Sequence, residues 1–340
     1  MNNTNSINSP IVITGAAGFI GSTLANKLFN MGCTNLVLID SMIHGNIENL
    51  VKPLQSTLIR NDCMNINVLS SIVPSDAIFF HFAGISSLPE CESNFPDAIK
   101  NNFMSTVNLS YVAILKNAKK FIFASTSAVY ENNKENIFDE LDETSPDLYY
   151  SFSKYLSEKH LKNLALKKIS FEITVCRFFN VYGYKQDISR KNPPLTAYII
   201  KCILLKEKIT IFNKNSSIKR DYIYIDDLIL GLFAIINNSH GKKYSCINFT
   251  SGRNYSVEDI IEIFRSKLNN KLEIEYAHPT DIWNAFPKLK DFIFESRIES
   301  EVFKSSHGSN EKLKHLLGKK FIFTSMDEGI SKMFNFFKLK

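Results

Sequence analysis

Ile11-Val12-Ile13-Thr14-Gly15-Ala16-Ala17-Gly18-Phe19-Ile20-Gly21 decides how the chain is read. A short apolar run of strand character passes at once into a glycine turn, and a helical pattern then runs from Ser22 to about Met31. Strand, glycine turn and helix form the context in which such a loop binds a dinucleotide. Gly15 permits the tight turn, Gly18 lets the backbone approach a pyrophosphate, and Gly21 lets the helix pack closely on the strand. The start of the helix offers free N–H groups and a favourable dipole to the phosphates. Residues 36–40 (LVLID) follow as a second strand ending in an acid. Asp40 at that position accepts from the hydroxyls of an adenosine ribose and repels a 2′-phosphate, so NAD is expected in preference to NADP.

The same alternation continues. Residues 56–60 read as a strand leading to Asp62, which is placed to touch an adenine edge. Residues 77–84 are a largely apolar strand closing on Ala83 and Gly84, small enough for a cofactor to lie against the backbone; His81 within it reads as a packed strand residue. A helix containing Asn101 and Asn102 precedes a strand over 121–127. Strands alternating with helices predict an α/β fold, a doubly wound parallel Rossmann sheet covered on both faces. Ligands in such sheets bind beyond the carboxyl ends of the strands, where Gly15, Asp40, Ala83 and Thr126 all fall.

Residues 145–166 read as a helix, capped by Thr144 or Ser145 with Pro146 in its first turn. Tyr150 and Lys154 sit four apart on one face, so hydroxyl and ammonium can meet the same ligand. A free tyrosine ionises near pKa ~10, and a fixed cation beside it brings that down toward the range useful for a base. Tyr149 is the weaker candidate, since its fourth neighbour is Ser153.

Taken together these stretches resemble the extended short-chain dehydrogenase/reductase family, especially its nucleotide-sugar 4-epimerases. The resemblance covers roughly residues 10–280 and is expected to resume in the last thirty. Residues 14–21 look like the family's cofactor loop and residues 40–45 like its ribose segment. Residues 102–106 look like its Asn-x-x-Gly-Thr element with Ser105 for the glycine, and 125–130 like its catalytic strand. Tyr150 and Lys154 match the signature pair, and residues 177–183 and 220–227 its substrate-side elements.

The resemblance implies Thr126, Tyr150 and Lys154 as catalytic residues. Thr126 would hydrogen-bond the sugar O4, Tyr150 as phenolate would take the O4 proton, and Lys154 would hold the nicotinamide ribose and depress the Tyr150 pKa. It implies NAD held by Gly15, Gly18, Phe19, Ile20, Gly21, Asp40, Asp62, Ala83, Asn102, Tyr150 and Lys154. It also implies a nucleotide sugar held by Ser86, Ser87, Thr126, Tyr150, Asn180 and Arg220, with Arg220 on the diphosphate. Arg177 reads equally as a ligand or as a structural cation. Dehydratases of the family place Asp-Glu after the Thr, whereas Ser127-Ala128 stand here, so C4 epimerisation of a UDP-hexose is expected. A 4-reductase or other oxidoreductase is the alternative, and a 4,6-dehydratase or a non-catalytic NAD-binding regulator on the same fold stands behind it. A homodimer through the helices around 102–115 and 150–166 is implied as well.

Composition narrows the class. The 340 residues are 44% hydrophobic and 22% charged, and the net charge of +6 comes from dispersed lysines. That balance suits anionic small molecules rather than a nucleic-acid groove. The cysteines Cys33, Cys63, Cys91, Cys176, Cys202 and Cys246 form no CxxC pair, so reduced thiols, no metal and a cytoplasmic protein are expected. Residues 1–10 are polar and read as a disordered lead-in, and no apolar run approaches the ~20 residues that span a bilayer.

The expected domains are a Rossmann domain, 10–182 plus 221–250, and a smaller substrate-binding lobe, 183–220 plus 251–340. Residues 195–205 and 257–268 read as helices of the lobe, with short strands over 208–212 and 271–276. His278 stands where the family usually has Arg. Residues 282–308, including Trp283, read as an insertion that serves as a surface loop, a lid or a partner contact. Ala285 within it would be a pocket position if the family register held that far.

Overall fold

The computed structural model describes residues 9–134, 137–190, 193–212, 217–238, 241–269, 272–278, 281 and 303–339. The strands are β1 (Ile11–Thr14), β2 (Leu36–Asp40), β3 (Leu58–Arg60), β4 (Ile78–His81), β5 (Lys120–Thr126), β6 (Glu172–Phe178), β7 (Asn180–Tyr182), β8 (Ile209–Ile211), β9 (Arg220–Tyr224), β10 (Tyr244–Phe249), β11 (Asn254–Tyr255) and β12 (Ile274–Tyr276). The helices are α1 (Phe19–Asn30), α2 (Lys52–Gln55), α3 (Ile66–Ile72), α4 (Leu88–Ser93), α5 (Phe95–Ala98), α6 (Ser105–Leu115), α7 (Tyr149–Ala165), α8 (Leu195–Leu205), α9 (Ile225–Asn237), α10 (Val257–Lys267), α11 (Glu311–Leu317) and α12 (Met326–Phe337). A π-helical turn, Ile99–Met104, joins α5 to α6.

Seven strands form one sheet in the order β10-β6-β5-β4-β1-β2-β3. The pairs β1–β2, β1–β4, β2–β3 and β4–β5 are parallel. The runs IVIT and IFFH are buried at every position, as a sheet covered on both faces requires. Val12, Phe79, Phe121, Phe123, Leu109, Leu161 and Ile173 share one core, with the Phe79 and Phe121 rings stacked at 5.9 Å. Burying one such side chain is worth about 1.5–3 kcal/mol, and this core holds the sheet together. Chain order reverses at β1, between β2 and β4, which opens a crevice at the carboxyl ends of those strands.

The chain divides into two compact units, residues 1–132, 144–177 and 229–247, and residues 133–143, 178–228 and 248–340. The second unit holds a three-stranded sheet, β11-β9-β7, and the parallel pair β8–β12. Helix α10 begins with a capping box in which Ser256 and Asp259 satisfy each other's backbone N–H.

Three expectations are corrected. The helix read from residue 145 begins at Tyr149; residues 143–147 are not helical, and the side chains of Thr144 and Ser145 do not cap it. Residues 221–250 do not all return to the large sheet, because β9 pairs with β7 and β11 and only β10 joins β6. The end of the supposed surface insertion is threaded into the second unit, with Ser306 bridging Arg220 and Gly308 bridging Phe138. Residues 282–302, with Trp283 and Ala285, lie outside the described residues.

Candidate active site

The glycine turn is shaped by close backbone approaches. Gly15 has φ +71, and a Cβ on it would stand 2.8 Å from the backbone N of Ala83, so this loop rests directly on the end of β4. A Cβ on Gly21 would collide with the Gly15 carbonyl. Gly18, the N-cap of α1, supplies no side-chain cap, and its Cβ position meets only the Gly15 carbonyl, at 3.2 Å. Phe19 and Ile20 form the first turn beyond it. Asp40 is tied to this loop: its carboxylate accepts from the N–H of Ala17 at 2.9 Å and of Met42 at 2.8 Å.

An open cleft of about 910 Å³ lies beyond the ends of β2 and β3, lined by Ser41, Arg60, Asn61 and Asp62 among others. Asp62 accepts from the Met64 N–H at 2.9 Å, while the buried Asn61 amide nitrogen has no hydrogen-bond partner. An uncapped helix terminus, an acid locked beside it and a buried donor lacking a partner fit an adenosine diphosphate moiety, so the residues present suit NAD.

On β4, His81 is fully buried between Thr14 (Nδ1 to Oγ1 2.7 Å) and Thr106 (Nε2 to Oγ1 3.1 Å). Burial, with the nearby Lys154 charge, pushes its pKa down to about 3, so it stays neutral and packs as a strand residue. The next turn is pinned by Asn102 in the π-helical segment. Its amide accepts from Ile85 N at 2.7 Å, and its nitrogen donates to Ile85 O and to Ser153 Oγ, each at 3.0 Å. Ser87 caps α4, accepting from Glu90 N at 3.4 Å, and Ser86 precedes it.

Lys154 projects from α7 into the core, 5% exposed, and donates from Nζ to the Ala124 carbonyl on β5 at 2.9 Å. The ammonium lies 4.8 Å from the Phe123 ring centroid. A Cβ on Gly84 would stand 2.6 Å from Asn102 Oδ1 and 3.4 Å from Lys154 Nζ, so the chain can pass between the two only as glycine. Burial lowers the Lys154 pKa to about 8, against the opposing pull of Cys91 and Glu158. Thr126 ends β5, and its Oγ1 accepts from Ala128 N at 3.1 Å, which leaves the hydroxyl proton to donate. Tyr150 is half-buried in the first turn of α7. Tyr149 instead stacks on Phe95 with centroids 4.7 Å apart.

Arg177 is structural. It is 6% exposed, grips Glu158 through two bonds and donates to the Tyr130 hydroxyl at 2.7 Å. In the second unit Asn180 and Arg220 lie on the neighbouring strands β7 and β9. Asn180 donates to the Asp221 carbonyl at 2.7 Å, and Arg220 Nε to the Lys304 carbonyl at 3.3 Å. Asp221 is fully buried beside Arg220, and burial raises its pKa to about 6 against the hydrogen bonds it accepts and the nearby His307. Cofactor-loop, Thr126, Tyr150, Lys154 and Asn102 positions thus belong to the first unit, and Asn180 and Arg220 to the second. Among the described residues no cluster is arranged to hold a metal, and no helix is long and apolar enough to cross a membrane.

The family model described as the NAD dependent epimerase/dehydratase family matches residues 11–248. The chain belongs to that family. Among curated relatives of the family, an ADP-L-glycero-D-manno-heptose-6-epimerase from Brachyspira hyodysenteriae is 29% identical over 82% of this chain and 87% of that protein. A UDP-glucose 4-epimerase from Yersinia enterocolitica is 30% identical over 80% and 87%. The crystal structure of the UDP-glucose 4-epimerase of Thermotoga maritima, solved with UDP-glucose, superposes with a TM-score of 0.82 at 23% identity, covering 97% of this chain and 98% of that one.

Sequence reasoning missed Glu131, Glu92 and Glu158. Glu131 accepts at one oxygen from Asp147 N (2.6 Å), Leu148 N (3.0 Å) and Ser151 Oγ (2.7 Å), and Glu92 accepts from Tyr149 N at 2.5 Å. Glu158, four after Lys154, was readable as a residue on the same helix face. The other two carry no local signal.

Proposed function

We propose that the protein is an epimerase that inverts C4 of a nucleotide-diphosphate sugar, with a UDP-hexose as substrate. The observation that carries this reading is the placement of Lys154: buried on β5 four residues along α7 from Tyr150, with Thr126 closing the same strand. NAD bound by the glycine loop, Asp40 and the Asp62 cleft supplies the hydride acceptor and donor for passage through a 4-keto sugar. Tyr150 removes the O4 proton and returns it after the sugar has turned, and the Lys154 charge keeps the phenolate available at neutral pH. Thr126 orients O4 with its free proton. Asn102 holds the turn after β4 against α7. Arg220, with Asn180, takes the diphosphate, for which a guanidinium fork is suited.

Epimerisation is favoured over dehydration because elimination needs a further acid–base pair, and Ser127-Ala128 follow Thr126 in its 3-10 turn. The test is to incubate the purified protein with UDP-glucose, UDP-galactose, their N-acetyl forms and UDP-glucuronate. C4 epimers should form without net NADH. Stoichiometric NADH would replace this reading with an oxidoreductase, and no conversion of any sugar would sink it. Tyr111, Leu115 and Phe152 are exposed on α6 and α7, and Leu166 at the C-cap of α7. They support a homodimer through these helices, which sedimentation at micromolar concentration would reveal; a monomer there would refute it.

A further inference from the structure

Helix α7 begins at Tyr149 behind the N-cap Leu148, whose side chain offers no cap. The N–H groups at that terminus are taken by two acids from distant parts of the chain. Glu131, just past the turn after β5, holds Asp147 N, Leu148 N and the Ser151 hydroxyl with a single oxygen, and Glu92 of α4 holds Tyr149 N. Glu131 is 8% exposed. Tyr150 stands in the first turn of α7 between Tyr149 and Ser151, the two helix residues that these acids hold, and side chains on a helix generally lean toward its N-terminus. A bare helix N-terminus favours a negative charge nearby, and two carboxylates there oppose it.

We infer that Glu131 is a positioning residue for Tyr150: it fixes the first turn of α7 and, with Glu92, sets the charge against which the tyrosine ionises. This rests on the reading of Tyr150 as the proton acceptor. Lys154 draws the phenolate form down in pH, and Glu131 and Glu92 hold it up, so the operating range of the base is a balance of charges from three elements. The other charged or titratable groups on elements packed against α7 are Glu90 and Cys91 of α4, Asp97 of α5, Lys100 of the π-helical turn, Tyr111 of α6, Lys120 of β5 and Tyr130, with Tyr149, Tyr155, Glu158, Lys159, His160 and Lys162 on α7 itself. Among them Glu131 and Glu92 bind the N–H groups of the terminus that bears Tyr150.

The experiment follows phenolate absorbance against pH in the NAD-loaded protein and subtracts the trace of Tyr150→Phe, which isolates one phenol. In Glu131→Gln that titration should move to lower pH by roughly 0.5–1 unit, with the acid limb of turnover moving alongside. Ser151→Ala, which removes one hydrogen bond and keeps the charge, should leave the titration in place. A purely structural cap would give the opposite pattern, with Ser151→Ala and Glu131→Gln both changing stability and neither moving the titration; that result overturns the inference. If Glu131→Gln fails to fold, Glu92→Gln must show a shift of the same sign, and an unmoved titration there overturns it equally. Absence of any Tyr150-dependent titration in the unaltered protein would fell the base assignment itself, and this inference with it.

Discussion

Arg177 and Glu158 are locked face to face inside the first unit, Nε to Oε1 at 3.0 Å and Nη2 to Oε2 at 2.7 Å, with side chains 7% and 5% exposed. Ser125 donates to the same Glu158 oxygen at 2.5 Å, and the Arg177 guanidinium lies 4.8 Å from the Tyr130 ring centroid. Through this pair β6 grips α7, which bears Lys154, and the corner after β5, where Thr126 stands.

Removing one partner of a buried pair strands the other. Arg177→Met should therefore cost about 3–5 kcal/mol of stability, read by urea denaturation. The double variant Arg177→Met with Glu158→Leu should recover much of that loss, since two apolar groups leave no buried charge. A single variant as stable as the parent would refute the pair's structural role.

The glycine loop separates folding from binding. Gly21→Ala places a methyl on the Gly15 carbonyl and should cost several kcal/mol, because neither backbone can move without unpacking α1 from β1. Gly18→Ala meets only a 3.2 Å contact and should leave the melting temperature nearly unchanged. It should nonetheless weaken NAD binding about tenfold or more, because the methyl stands where a pyrophosphate would approach. Calorimetric titration with NAD decides this; full affinity in Gly18→Ala would remove the loop from the cofactor site.

Much of the fold was legible because its signals are local. The buried runs of β1, β2 and β5, the helix Leu195–Leu205 and the short strands β8 and β12 lie where their own periodicity and flanking residues put them. The failures are non-local. Pro146 and Ser145 look like a helix start, yet the terminus lies at Leu148 because its N–H groups are met by Glu131 and Glu92, the latter 57 residues from its Tyr149 partner. Strand β9 reads like any buried strand, and only its partners Asn180, Asn254 and Ser306 decide which sheet it joins. For the candidate site, the order of motifs was enough to nominate Thr126, Tyr150 and Lys154. It could not distinguish Arg177, whose partner Glu158 is supplied by another element.

Tyr150→Phe keeps the ring and deletes the hydroxyl. The protein should fold and bind NAD as before, while turnover of the nucleotide sugar falls roughly 10²–10⁴-fold, the usual worth of a positioned general base. Steady-state kinetics with UDP-galactose, beside a cofactor-binding titration, separate the two properties. Near-normal turnover would rule Tyr150 out as the base.

Lys154 should show a conflict between stability and chemistry. Burial lowers its pKa from 10.5 to about 8. Between those values the folded chain binds fewer protons than the unfolded one, so the penalty is fully present below about pH 8 and is relieved as pH rises toward 10.5. At ~1.4 kcal/mol per pH unit the penalty is of order 3 kcal/mol, against about 1 kcal/mol for the hydrogen bond to Ala124. Lys154→Met should therefore gain about 1–2 kcal/mol in urea denaturation at pH 7, and the gain should shrink and reverse as the pH approaches 10.5. Turnover should fall with it, since the methionine carries no charge to hold a phenolate. A variant less stable than the parent at pH 7 would show that the ammonium is better solvated in its site than its burial implies.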